Sequence, residues 1–171
     1  MTRNMLILSV AAASLAVAGC AKKAPATLPP EPVGTYDDTG TGDGVITNAP
    51  VPGSQADFLA RVSSDTVYFD TDRFDIDGED RVILQSQAEW LRQYPNVRLT
   101  VEGHADERGT RDYNIALGER RANAAKNYLA TLGVDPSRIS VVSYGKERPV
   151  ALGSNESAWA QNRRAVTVTV N

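Results

Sequence analysis

A chain of 171 residues, 42% of them hydrophobic and 23% charged, is long enough for one packed domain with sequence to spare. Its net charge of −3 excludes the strongly basic balance of a general nucleic-acid binder, and no nucleic-acid partner is expected. A single cysteine excludes an intrachain disulfide, and a single histidine leaves little from which to build a metal centre.

Residues 1–19 carry one early charge, Arg3, and then an apolar run from Met5 through Ala18. The run is too short to span a bilayer comfortably, and the small residues before Cys20 suit a signal peptidase, so the segment reads as a secretory leader. Val17-Ala18-Gly19-Cys20 resembles a bacterial lipobox. That resemblance implies cleavage before Cys20 and acyl chains on its sulfur and its new amine, enough to hold a membrane stably. The competing reading is an ordinary leader with an incidental cysteine. Ala21 stands where an aspartate would resemble an inner-membrane retention signal, so the same resemblance implies the outer membrane, with the rest of the chain in the periplasm.

Residues 20–55 hold Pro25, Pro29, Pro30, Pro32, Pro50 and Pro52, a Gly/Thr/Asp run from Gly34 to Gly44, and few large apolar side chains. Such a composition does not build a core and predicts a tether, about 35 residues with a typical end-to-end distance of roughly 30 Å. The run Gly40-Thr41-Gly42-Asp43-Gly44 is not a phosphate loop, because no strand precedes it and no helix follows.

The folded domain is expected over residues 56–171. Thr66–Phe69 is β-branched and aromatic and runs into the polar Asp70-Thr71-Asp72, which predicts a strand and a loop. Apolar residues at helical spacing predict a helix over Asp77–Tyr94, closed by Pro95. Val97, Leu99 and Val101 alternate with polar residues as a half-buried strand does. Ile115, Ala122, Ala125, Leu129 and Leu132 then predict a second long helix, stopped near Gly133. Ile139–Tyr144 predicts a strand, Glu156–Gln161 a short helix, and Ala165–Val170 a last strand. The expected fold is α+β, a two-layer βαβαβ(α)β sandwich with helices on one face of a mixed sheet.

Between the second strand and the second helix, Gly103–Asn123 reads GHADERGTRDYNIALGERRAN and concentrates the lone histidine, four acids and four arginines. With SYGKERP at Ser143–Pro149 and AQNRRAV at Ala160–Val166, it resembles the lipoprotein branch of the outer membrane protein A C-terminal-like domain family. The resemblance covers roughly Asp65–Asn171. It implies a protein that binds, without cutting, the diaminopimelate side chain of peptidoglycan through an aspartate and an arginine at the positions of Asp106 and Arg121. It also implies a pocket completed by the backbone of Thr71 and Asp72, by the side chains of Asn114 and Arg164, and by backbone amides around Glu107, Arg108 and Thr110. A periplasmic propeller protein, TolB, is the further implied partner, in the Tol system that draws in the outer membrane during division. Arg111-Asp112 departs from the family pattern, in which a proline and an acid are usual there.

The chemistry of that pair is legible from the residue types. The free end of diaminopimelate carries an ammonium and a carboxylate on one carbon, so it asks for an acceptor such as Asp106 and a planar cationic fork such as Arg121. Lysine lacks that carboxylate and would leave the arginine unpaired, a discrimination of about 2 kcal/mol or more. Asn114, Leu117 and Arg121 fall on one helix face, which is expected to line the pocket. Structural alternatives are that Asp106 or Asp112 caps the helix and that Arg120 and Arg121 are a solvated charge pair. His104 is expected to orient the loop by hydrogen bonding, and Tyr113 to be packed. No G-x-S-x-G or H-E-x-x-H arrangement is present, so a wall hydrolase is the weaker alternative, alongside a scaffold that mainly binds protein. Neither cofactor nor metal is expected.

Overall fold

The computed structural model describes residues 49–170. The leader, Cys20 and most of the tether lie outside the described residues. The elements are α1 (Gln55–Arg61), β1 (Thr66–Tyr68), α2 (Gly78–Gln93), β2 (Arg98–His104), α3 (Arg111–Thr131), a 3-10 turn (Pro136–Arg138), β3 (Ile139–Gly145), α4 (Glu156–Asn162) and β4 (Arg164–Val170). They form an α+β domain whose four strands lie in the order β1-β4-β2-β3. The β2–β3 pair is parallel, and β4 runs antiparallel to both β1 and β2.

Local chemistry accounts for the helix starts. Asp77 and Asp80 close a reciprocal capping box on α2, each side chain taking the other's backbone N–H. At α3 the Thr110 hydroxyl accepts from the Tyr113 amide at 3.3 Å, so neither Asp106 nor Asp112 is the cap, and the helix begins without a proline. Asn155 caps α4 in the same way.

One core joins the layers: Phe58 of α1, Leu84, Ala88 and Leu91 of α2, and Ala122, Ala125 and Leu129 of α3 meet Val67, Leu99, Val101, Ile139 and Ala165 of the sheet. On β4, Thr167 and Thr169 are buried on the face that carries Ala165, Arg164 is buried at the start of the strand, and Val170 is exposed. The threonines face inward because glutamines await them. The Thr167 hydroxyl donates to Gln87 Oε1 at 2.8 Å, and the Thr169 hydroxyl to Gln55 Oε1 at 2.9 Å.

α1 was not expected from the sequence, and it corrects the extent of the tether. Ser54 caps it, Gln55 opens it, and the buried Asp57 carboxylate accepts from the Gly53 amide and Trp90 Nε1, each at 3.0 Å, and pairs with Arg61 at 2.8 Å. Gly53, Ser54 and Gln55 therefore belong to the packed domain.

Topology gathers four chain segments at one end of the sheet. Since β4 opposes β1 and β2, its first residues lie beside the last residues of both, and Phe69 N–H donates to the Arg163 carbonyl at 2.9 Å. β3 ends there too, where the Ala105 amide donates to the Gly145 carbonyl at 2.8 Å. α3 is seated closely over this end. A Cβ on Gly103 would stand 1.8 Å from the Gly118 carbonyl oxygen, and one on Gly118 would stand 2.4 Å from Ser143 Oγ.

Candidate functional site

The loop between β2 and α3 is built by its own polar groups. Lys146 Nζ donates to the carbonyls of Glu107 and Gly109 at 3.0 and 2.7 Å, Asn114 Nδ2 donates to the Arg108 carbonyl at 2.7 Å, and Trp159 Nε1 donates to Glu107 Oε1 at 3.0 Å. Gly109 supplies a positive φ of 82° where the loop turns into the helix. Beneath the loop lies a cavity of about 240 Å³ lined by Thr71, Asp72, Ala105, Asp106, Arg108, Gly109, Tyr113, Asn114, Leu117 and Arg121.

Arg121 is wholly buried, at 0% exposure. Its Nε, Nη1 and Nη2 donate to the backbone carbonyls of Arg73, His104 and Asp70 at 2.9, 2.8 and 3.0 Å. A guanidinium has five N–H donors, so one on each Nη remains. No carboxylate among the described residues lies within ion-pair reach of it. Burial first, and then the nearby Arg163 charge, push its pKa down to about 10, against the pull of Asp106 and Asp72. It is still cationic near neutrality, and its solvated-pair alternative is excluded by the burial.

Asp106 is bound from within. Arg108 Nε and the Arg108 amide donate to its Oδ1 at 3.0 and 3.1 Å, and Arg108 Nη2 donates to Oδ2 at 2.6 Å. Burial raises the Asp106 pKa, but the Arg108 hydrogen bonds with the Arg108 and Arg163 charges outweigh it and hold the carboxyl below its ordinary value. Thr71 takes a further Arg108 N–H at 3.2 Å. Asp72 has a positive φ of 56°, a strained conformation for a residue with a Cβ, and accepts from the Tyr113 hydroxyl at 3.2 Å.

Of the residues expected at the site, Asp106, Arg108, Asn114, Leu117, Arg121, Thr71 and Asp72 line this one cavity. Glu107 and Thr110 do not, being taken up by Trp159 and by the helix cap. The Arg108 amide is occupied by Asp106 itself. Arg164 lies elsewhere, its guanidinium on the carbonyls of Asn162 and Arg148 at 3.4 and 3.2 Å. Its neighbour Arg163 takes the place beside Asp106, with Nη1 3.6 Å from Oδ2 and without a hydrogen-bond partner. Consecutive residues entering a strand point to opposite faces, so which arginine of a pair faces the site depends on where β4 begins.

His104 also departs from expectation. It is 2% exposed, neither ring nitrogen has a hydrogen-bond partner, and the loop-fixing contact runs instead from Arg121 to its carbonyl. Its ring lies 5.6 Å from that of Tyr144. Burial and the Arg164 and Arg148 charges push its pKa down to about 4. Tyr113 is half exposed at the cavity rim rather than packed. Among the described residues, no group of three His, Cys, Asp or Glu side chains is arranged to hold a metal ion.

A mixed sheet that brings a loop-borne acid and a helix-borne, buried cation to one cavity defines a small polar clasp. The sequence pattern of the OmpA family matches residues 68–163, and the chain belongs to that family. It is similar to the peptidoglycan-associated lipoprotein of Agrobacterium fabrum, with 48% identity over 168 residues that cover 98% of this chain and 89% of that one. The protein of the same name from Rhizobium meliloti is 50% identical over 155 residues, covering 91% and 82%. The crystal structure of the peptidoglycan-associated lipoprotein from Burkholderia pseudomallei aligns with a TM-score of 0.61 and 43% identity, over 66% of this chain and 93% of that one. The C-terminal domain of Helicobacter pylori MotB shares the fold at a TM-score of 0.58 and 22% identity, covering 63% and 84%.

Proposed function

We propose that the protein is a non-enzymatic lipoprotein of the outer membrane whose periplasmic domain holds the diaminopimelate end of a peptidoglycan stem peptide, fastening membrane to wall. The observation that carries this reading is the buried Arg121, a cation whose partners are all neutral carbonyls, beside Asp106 in one cavity. A carboxylate brought by a ligand supplies the charge that Arg121 lacks, and an ammonium on the same carbon matches Asp106. A volume of about 240 Å³ suits the end of one side chain rather than a disaccharide. The relatives named peptidoglycan-associated lipoprotein support the same reading.

The finer part of the proposal is a role in the Tol-Pal system, with TolB as partner, in envelope integrity and cell division. It rests on the family resemblance. Leu152, 88% exposed and close to Glu107 at the margin of the loop, offers an apolar contact for such a partner.

Binding to diaminopimelate-type sacculi tests the proposal. Since Arg121 also holds three backbone carbonyls, Arg121→Lys is a better probe than Arg121→Ala, and Asp106→Asn is the cleanest change. We expect Asp106→Asn to weaken sacculus binding by about 2 kcal/mol or more in protein that is still folded, and to lower the melting transition, since the change also removes the charge that Arg108 and Arg163 face. Binding equal to that of the unchanged protein would refute the pair. Retained TolB capture with no sacculus binding by the unchanged protein would favour the scaffold reading, and release of soluble muropeptides a hydrolase.

A further inference from the structure

In the free protein the position opposite Asp106 is already filled by a cation of the chain itself. Among the described residues, Arg108 supplies all three hydrogen bonds that the carboxylate accepts, at 2.6, 3.0 and 3.1 Å. A carboxylate has about four lone-pair sites. With Arg163 Nη1 3.6 Å from Oδ2 and the Asp106 side chain only 10% exposed, an entering ammonium has to displace the Arg108 guanidinium.

Arg108 is able to move where Arg121 is not. Its side chain is 38% exposed and donates to no backbone carbonyl; besides Asp106 it is held, among the described residues, only by the Thr71 hydroxyl at 3.2 Å and by the Trp159 ring 4.2 Å beneath its guanidinium, contacts at the cavity margin rather than in the core. Its amide bond to Asp106 does not depend on the side chain and remains. The residue already lines the same cavity as Arg121, so a guanidinium that leaves Asp106 there needs a new acceptor.

We infer that Arg108 is a specificity-determining residue that exchanges partners on binding: its guanidinium leaves Asp106 to the ligand's ammonium and moves to the ligand's carboxylate. The inference rests on the reading of Asp106 and Arg121 as the seat of a zwitterion. A ligand with both charges on one carbon replaces the pair it breaks. One with only an ammonium, such as a lysine side chain, breaks the Asp106–Arg108 pair and returns nothing, so the internal pair selects against it. Discrimination then has two sources, the unfilled Arg121 and the unreturned Arg108.

The test is calorimetric titration of the purified full-length protein and its Arg108→Gln and Arg108→Lys variants with stem peptides that carry either diaminopimelate or lysine, Asp106→Asn run in parallel. In Arg108→Gln the lysine peptide is expected to bind roughly five-fold tighter or more, the diaminopimelate peptide to change less, and the ratio between them to fall. Arg108→Lys, which keeps the charge without the two-pronged fork, is expected to fall between. Lysine-peptide binding that is unchanged, absent or weaker in a normally melting Arg108→Gln variant overturns the exchange. If Asp106→Asn binds the diaminopimelate peptide as the unchanged protein does, the zwitterion seat itself is wrong. Loss of binding in Asp106→Asn with an unaltered ratio in Arg108→Gln refutes the exchange alone.

Discussion

His104 is an imidazole in the wrong place to be a base and well placed to act as an acid-sensitive fault. It sits in the unfolded chain with an ordinary pKa of 6.5 and in the folded one near 4, kept neutral by burial and by Arg164 and Arg148, with only Glu102, 3.8 Å away, to favour the proton. Between those values the unfolded state binds the extra proton. Stability therefore rises with pH across this window and is lost as pH falls from about 6.5 towards about 4, by about 3 kcal/mol at most. Urea unfolding at pH 7 and pH 4.5 checks this. We expect His104→Phe to flatten that slope, and an equal slope in the variant would show that other groups carry it. At this scale the sequence disclosed which residue types mattered but not their pairings. Asp106 and Arg121 stand out as charges of the right kind, whereas the Asp106–Arg108 clamp depends on a loop geometry set by Lys146, Asn114 and Gly109.

At the level of elements, the distance between α3 and the sheet is fixed by two absent side chains. Gly103 and Gly118 face one another so closely that any Cβ on the first meets a backbone carbonyl, and one on the second meets Ser143 Oγ and the Gly103 carbonyl. The same contact sets the height of Asn114, Leu117 and Arg121 above the end of β2. We expect Gly118→Ala to cost about 1–3 kcal/mol of stability and to weaken wall binding in the fraction that remains folded. Thermal melting with a sacculus pulldown checks both, and unaltered values would mean that α3 tolerates the shift. Long helices and strands were legible because periodicity survives in a sequence. α1 was not, since its seven residues hold too few apolar positions for a pattern and its stability comes from Asp57 meeting Trp90, 33 residues away. The inward face of β4 was equally hidden, because the alternation of valine and threonine does not say that glutamines on two helices claim the threonines.

For the whole molecule, the element order predicted a mixed two-layer fold, while the insertion of β4 between β1 and β2 is a long-range pairing with no local signature. That insertion brings Asp70, Asp106 and Arg163 to one end. Anchoring is likewise a property of the whole chain. If Cys20 carries the lipid, the intact mass of protein extracted from membranes exceeds that of a polypeptide starting at Cys20 by the mass of its acyl groups, and a bare mass would refute the anchor. With such an anchor, tension passes from membrane to wall through the chain in series. It enters at Gly53, where Asp57 accepts the amide and passes the load to Trp90 of α2 and thence to the core. On the proposed function, the small first helix would then be a mooring cleat: pulling between envelope layers would meet a buried carboxylate and an indole before it reached the strands that hold the clasp in shape.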